Sequence, residues 1–551
     1  MGTAVFWILF WLLAVLLFFT GYSREKKRRL KRRERIKNSF GSSETTLSDH
    51  KPFEKNPALF EYIRRSFPED FYPDDITVND LGLKDIYSRM NRCLTSCGED
   101  MLYCFFRILP KDTQKSSVIH DMIQRYIDDR DNTIELMYIL DSYGKHEDCD
   151  EFELVEKLED ARVRNPIADV IPVLLLIAAV CFIAVSPVAG TIAAIVMITI
   201  CIGSYFSGKA VMDENLKGLA LALKMIACAK KLRENGCPDF DRYEMLFRLQ
   251  KGDFLIPYKD QTTSDPLSII FDYVRMITHI DLIVYSIKIS RLKEQIGPLL
   301  SIYADIGKVD ALISVASFLI PKKFCRAVIT ESRKIDAKGI YHPLTRHDPV
   351  ANDLKASRGI ILTGSNASGK STFLKAVGLN VLFARSLGIA FADKFETAAY
   401  TIYTSMALSD NLLGGESYYV VEAKSIRRIC ESAKDGDCLC IIDEVLRGTN
   451  TIERIAASNV ILRSLCAPTV MCFAATHDLE LAYMLKDYMD CYHFTEVIDG
   501  NNVTFPYLLQ KGISDTTNAI RLLSMLGFDP GIVNAADELV NRYKTTGKWM
   551  D

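Results

Sequence analysis

Three apolar stretches stand out against the polar background of the chain. Ala4 to Phe19 is an unbroken apolar run, and with Thr20, Gly21 and Tyr22 behind it the run is just long enough to cross a hydrocarbon core. Val170 to Val185 and Val188 to Phe206 are two more, separated by Ser186-Pro187 with Gly190 close behind, and no charged residue lies between Asp169 and Lys209. Two such segments joined by so short a turn predict a tight transmembrane hairpin, which returns the chain to the side it left. The competing reading is a pair of helices buried in a soluble core, although neither segment shows a polar face.

Around these stretches the periodicity is helical and then changes. Residues 58–165 alternate short helical patterns with turns. Helical spacing resumes after Lys209, in Leu216, Leu219, Leu223, Ile226 and Ala227, and again from Ile287 through Phe318, with a break at Gly297-Pro298 and a stop at Pro321. From residue 331 onward short apolar runs alternate with helical patterns, which predicts an α/β domain with parallel strands. The expected fold is therefore multidomain, with a mostly α-helical region interrupted by the apolar hairpin. Its parts are an N-terminal transmembrane helix (1–22), a basic juxtamembrane segment and linker (23–57), a helical core (58–165), the transmembrane hairpin (166–208), a second helical region (209–330) and a C-terminal α/β domain (331–551).

Composition adds constraints. The chain has 551 residues, 49% apolar and 25% charged, which is globular composition leaning toward the apolar and length for roughly three or four domains. A net charge of −3 gives no global basic field of the kind that attracts nucleic acid. One local run is strongly basic, from Arg24 through Lys26, Lys27, Arg28, Arg29, Lys31, Arg32, Arg33 and Arg35 to Lys37. Following an apolar segment, it places residues 23 onward in the cytoplasm and suits anionic lipid headgroups; a nucleic-acid arm is the alternative. The positive charge lies after the apolar run and no small-residue cleavage site follows, so a signal peptide is not predicted; Phe6 stands where myristoylation needs Ser or Thr. Fifteen cysteines occur without a C-x-x-C pair, as expected of reduced thiols in a cytoplasmic chain. His120 and His146 are isolated, and each is expected to be an ordinary helix residue rather than a ligand.

Candidate chemistry is concentrated in the last domain. Gly364-Ser365-Asn366-Ala367-Ser368-Gly369-Lys370-Ser371-Thr372 follows the apolar run Gly359 to Thr363 and precedes a helical pattern from Phe373. G-x-x-x-x-G-K-[ST] in that setting predicts a phosphate loop, in which backbone amides and the helix N-terminus meet phosphates, Lys370 reaches the β- and γ-phosphates and Ser371 supplies a hydroxyl to Mg²⁺. The strand Cys438 to Ile442 ends in Asp443-Glu444, suited to hold Mg²⁺ and to orient or deprotonate a water. The strand Val470 to Ala475 ends in Thr476-His477-Asp478, and His477 there can reach a γ-phosphate or the attacking water. Leu412-Leu413-Gly414-Gly415-Glu416-Ser417 could clasp a phosphate presented by another subunit or be an ordinary Gly-rich turn.

Taken in order, these segments resemble the MutS family. His342-Pro343 and Asn352-Asp353 are similar to its approach to the nucleotide site. The loop ending in Lys370-Ser371-Thr372 is similar to T-G-P-N-x-x-G-K-S-T, with Ser365 in place of Pro. Asp410 to Glu422 resembles D-x-L-x-x-G-x-S-x-F-x-x-E, with Tyr419 in place of Phe. Asp443 to Asn450 resembles D-E-x-x-R-G-T-S, with Asn450 in place of Ser, and Ala475 to Leu481 is similar to A-T-H-x-x-E-L. Asp80 to Asn91, Thr95 to Tyr103 and Ile306 to Phe318 resemble parts of the family's core and lever helices. The resemblance implies a P-loop ATPase domain of the ABC/MutS type that uses ATP and Mg²⁺ and dimerises, so that Gly415 and Ser417 of one protomer complete the phosphate site of the other. It further implies that Gly364 to Thr372 bind ATP, that Asn366 helps place the water or γ-phosphate, that Ser371 and Asp443 serve the metal, that Glu444 is the base and that His477 senses the γ-phosphate.

Mismatch-repair members also carry a mismatch-reading domain with a Phe-x-Glu wedge. Phe67-Pro68-Glu69 and Phe494-Thr495-Glu496 are the matches here, and neither lies in such a domain. The expectation is a membrane-anchored MutS-like ATPase, its ATPase domain cytoplasmic, whose helical levers couple to the hairpin. The alternatives are a membrane-tethered DNA-binding or mismatch-repair protein, with duplex DNA as partner, and an ABC-type transport ATPase, because Leu413-Gly414-Gly415-Glu416 is also similar to the ABC signature.

Overall fold

The computed structural model describes residues 20, 23, 26–42, 53, 57–146, 150–161, 165–248, 274, 276–345, 349–365, 368–406, 418–499, 502–513, 520, 523–524, 527–547 and 549. The N-terminal apolar run 4–19 lies outside them. The chain divides into two compact units that do not follow sequence order: residues 1–66, 91–103 and 125–317 form one, and residues 67–90, 104–124 and 318–551 the other. Two segments of the expected helical core, 67–90 and 104–124, thus belong with the C-terminal strands, because their partners there are distant in sequence.

In the first unit the basic run is a helix over 26–39, with Ile36 and Phe40 buried. Part of its charge is used internally: Arg32 and Arg35 pair with Asp141, and Arg33 with Glu135, both on the helix Arg130–Tyr143. A second long-range contact caps the helix Ser96–Arg107. Asp310 accepts from the Thr95 amide at 2.8 Å and the Thr95 hydroxyl at 2.6 Å, and burial pushes its carboxyl up to about 6.

The uncharged interval forms two helices, Pro166–Phe182 and Pro187–Glu234, each opening with proline, whose missing N–H costs nothing in a first turn. Pro187–Phe206 is long and apolar enough to cross a membrane by length and composition, and 22% of it is buried. Val185 is 78% exposed at the turn and Ile195 60% exposed farther along. A pair of helices buried in this unit would be expected to cover such residues. The second helix continues past residue 208 to Glu234, and its later turns bury Leu219, Leu223 and Ile226. Polar contacts gather at the end of the apolar part, where Tyr205 donates to Asp281 at 2.7 Å and the His279 Nε2 lies 2.8 Å from the Cys201 carbonyl oxygen. The break expected at Gly297-Pro298 falls between Lys293 and Ile296, with Pro298 in the first turn of Ile296–Leu319.

The second unit holds the strands β1 (Cys325–Ile329), β2 (Ile335–Ile340), β3 (Asn352–Ala356), β4 (Ile360–Thr363), β5 (Ile389–Ala390), β6 (Lys394–Thr397), β7 (Thr401–Ser405), β8 (Cys438–Asp443), β9 (Val470–Ala475), β10 (Asp490–Phe494), β11 (Val497–Asp499), β12 (Asn502–Thr504) and β13 (Leu509–Lys511). A mixed sheet runs β3-β2-β6-β1-β5, and β11 pairs with β12. The larger sheet has the order β13-β10-β4-β9-β8-β7, parallel throughout except for β13 at its edge.

Continuous apolar runs mark β4 and β9 as strands buried on both faces, and the structure buries every residue of each. Register then decides what meets at the carboxyl edge. Leu362 of β4 and Asp443 of β8 both pair with Ala475 of β9, so the segments leaving these three strands emerge side by side. The helix Asp75–Asp80 packs on β7, with Asp80 accepting from the Thr404 hydroxyl at 2.7 Å and the Met406 amide at 2.9 Å.

Candidate functional site

The turn after β4 requires its glycines. Gly364 has φ +141°, and a Cβ there would lie 2.8 Å from the Phe494 carbonyl oxygen; Gly369 has φ +103°, and its Cβ would meet the Tyr507 ring at 2.9 Å. Lys370 opens the helix Lys370–Ser386 and folds back, its Nζ donating to the carbonyls of Gly364 and Ser365, each at 2.8 Å. Burial pulls the Lys370 ammonium down to about 8, against the opposing pull of Asp443, Glu444 and Glu496. Asn366 and Ala367 lie outside the described residues, as do Gly415 and Ser417.

Around this loop the three strand ends converge. The Ser371 hydroxyl donates to Asp443 at 2.5 Å. Glu444, one residue past β8, has φ +63° and meets the His477 Nε2 at 2.9 Å and the Arg447 Nε at 2.5 Å. The hydrogen bond from His477 and the charges of Arg447 and Lys370 hold the Glu444 carboxyl below its usual range, although burial opposes them. His477 also lies 3.4 Å from the Lys370 Nζ. The chain behind it is fixed by Arg454, whose guanidinium grips Asp478 at 2.7 and 3.0 Å. Lys370, Ser371, Asp443, Glu444 and His477, scattered over more than a hundred positions, thus share one site. Ser365, Ser368 and Thr372 stand in the same loop, Ser365 donating to Glu496 at 2.5 Å.

These groups line one end of a cavity of about 880 Å³. Tyr341, His342, Val350, Phe494 and Tyr507 line another part, an apolar and aromatic surface suited to a flat heterocycle. Burial, with Lys375 and Lys322 nearby, pulls His342 down to about 4, so the ring is neutral at physiological pH. Asn352 braces this wall, donating to the Tyr507 carbonyl at 3.0 Å and accepting from the Leu509 amide at 2.7 Å. Tyr507 is not singled out by the sequence reading, and Glu496 enters it only as the last residue of Phe494-Thr495-Glu496. The aromatic pair Phe505 and Tyr507 is the signal that could have pointed there, but nothing local links it to a loop well over a hundred residues earlier.

Among the described residues no group of three or more His, Cys, Asp or Glu is arranged to hold a metal ion. What stands beside Lys370 is an oxygen pair, the Ser371 hydroxyl and the Asp443 carboxylate. That pair fits a hard divalent cation that takes its remaining ligands from phosphate and water.

Residues 360–544 match the family model described as MutS domain V. Curated relatives agree. The chain is 30% identical over 253 residues to a DNA mismatch repair protein MutS of Thermotoga maritima, covering 44% of this chain and 32% of that protein. It is 30% identical over 270 residues to DNA mismatch repair protein MutS 1 of Halobacterium salinarum, covering 46% and 30%, and 28% identical over 245 residues to a MutS of Persephonella marina, covering 43% and 28%. The chain therefore spans about a third of the length of the curated relatives it matches. Through residues 360–544, which carry most of the site, the chain is thus similar to the MutS family.

Proposed function

We propose that the chain binds and hydrolyses ATP in this cavity, at a site completed by a second protomer, and couples the cycle to helices that carry a membrane-inserted hairpin. The convergence of Lys370, Ser371, Asp443, Glu444 and His477 at one sheet edge carries the reading.

In this reading the amides of the loop from Gly364 to Thr372 receive phosphate oxygens and Lys370 exchanges its two carbonyl partners for them. Asn366 helps place the water or the γ-phosphate. Ser371 and Asp443 would hold Mg²⁺, which when bound neutralises charge on the phosphate oxygens. Glu444 accepts a proton from water as the water oxygen bonds to the γ-phosphorus and the bond to the leaving ADP oxygen breaks. His477 orients the Glu444 carboxylate and faces the γ-phosphate. Gly415 and Ser417 of one protomer would close the site of the other. The exposed apolar surface of the hairpin supports insertion in a membrane, with the ATP site on the cytoplasmic side and the basic helix near lipid headgroups.

Two variants test the dimer-completed site. Lys370→Ala is expected to lose ATP binding and Ser417→Ala to lose turnover, while mixing the two inactive proteins restores activity through one intact composite site. Mixtures as inactive as their components contradict a site shared between protomers.

The names of the curated relatives favour a second reading, a membrane-tethered protein that binds duplex DNA. Affinity for duplex that falls steeply with salt would support it, and no binding even at low salt would exclude it.

A further inference from the structure

A buried carboxylate just outside the site holds the turn that carries the base. Glu422, on the helix Tyr418–Ser432, is 3% exposed, and a carboxylate in that position needs partners for its charge. It finds them in the turn after Glu444: the Arg447 amide donates to its Oε1 at 3.1 Å, and the amides of Leu446 and Gly448 also favour its ionised form. Successive amides around a residue in the left-handed region form a concave anion-binding nest, and Leu446 has φ +56°. Here the bound anion is a side chain of the same protein. Burial pushes the Glu422 carboxyl up, and the amides of the nest pull it back toward the charged state.

The same turn has a second tie. Arg447, whose amide is held by Glu422, places its guanidinium on the Glu444 carboxylate at 2.5 Å. Glu444 itself has φ +63°, a conformation that non-glycine residues adopt only when their surroundings impose it. Two left-handed residues flank Val445, and the carboxylate that meets the following amides belongs to a different helix.

We propose that Glu422 is a positioning residue for hydrolysis: by accepting the Arg447 amide in the 446–448 turn it fixes Arg447, and through Arg447 it sets where the Glu444 carboxylate stands. The proposal rests on the assignment of Glu444 as base in ATP hydrolysis. A purely structural Glu422 would change the fraction of folded protein and leave the rate per folded molecule alone. A positioning Glu422 separates kcat from ATP affinity, because Lys370 and Ser371 belong to a different strand end.

The test uses full-length protein in lipid vesicles, with ATP affinity read from a fluorescent ATP analogue and kcat from phosphate release. Glu422→Ala and Glu422→Asp, the latter keeping the charge but withdrawn by one methylene, are compared with Arg447→Ala and with Glu422→Ala/Arg447→Ala. Misplacing a catalytic group by about 1 Å costs up to ~100-fold, so Glu422→Ala is expected to lower kcat at least tenfold while ATP affinity stays within about threefold. Glu422→Asp should fall between it and the wild type, and the double variant should be no slower than the slower single variant. Where Glu422→Ala does not fold, the Asp variant decides. Wild-type kcat per folded molecule in the Asp variant, or additive losses in the double variant, would overturn the proposal. Absence of ATP turnover in the wild type would instead contradict the proposed function itself, and this inference with it.

Discussion

The Oε1 of Glu444 lies 2.9 Å from the Nε2 of His477, joining the residue that follows β8 to one that follows β9. His477 is the largest single cause of the lowered Glu444 carboxyl. In His477→Ala that support is gone and the Glu444 carboxyl rises toward its ordinary range. The acid limb of the kcat profile should therefore move to higher pH, with kcat at neutral pH down by roughly 10²-fold. A pH series of phosphate release checks it, and an unmoved acid limb would separate His477 from the base.

Lys370 links ATP affinity to pH. Its ammonium is pulled down to about 8 by burial, and phosphate binding favours the charged form. Below pH 8 the residue is already protonated and contributes no slope. Above it, affinity should fall by up to about tenfold per pH unit until the nucleotide-bound form also titrates. Equilibrium titrations between pH 6 and pH 10 would show the bend, and a flat profile above pH 8 would place the ammonium away from the phosphates.

Ser371 and Asp443 are already in contact, so each positions the other as well as the cation. Ser371→Ala and Asp443→Asn should raise the Mg²⁺ concentration for half-maximal hydrolysis by about 10- to 100-fold, with folding intact by circular dichroism. An unchanged Mg²⁺ requirement in both would remove the metal from this oxygen pair.

Much of the site was legible because its strands are buried on both faces, so that β4, β8 and β9 appear as continuous apolar runs ending in polar residues. The loop at Gly364 to Thr372, the acids at 443 and 444 and His477 all follow from that pattern. Long-range pairing was not legible. The clasp of Asp80 on β7 and the capping of the helix Ser96–Arg107 by Asp310 join residues more than two hundred positions apart, and no periodicity encodes such partners. One helix runs from Pro187 to Glu234 through the expected boundary at 208, because the change from apolar to amphipathic character at Lys209 is a change of surroundings, not of backbone. Tyr507 escaped notice because an aromatic residue after short strands is ordinary until Gly369 is found against its ring.

The turn of the hairpin offers a topological test. Val185 is 78% exposed there, and a spanning hairpin places it on the face opposite the ATP site. In intact cells, a Cys181→Ser/Val185→Cys protein should react with a membrane-impermeant maleimide at position 185, whereas an Ile452→Cys protein, altered at a site 81% exposed, should react at position 452 only after permeabilisation. Labelling at 185 only after permeabilisation would show that the hairpin does not cross.

The most direct measurement is hydrolysis by Glu444→Gln beside the wild type. The substitution keeps the size of the side chain and removes its ability to take a proton, so ATP binding should stay within about threefold while turnover falls by ~10²-fold or more. Wild-type turnover in Glu444→Gln would contradict the assignment of the base and, with it, the account of the site.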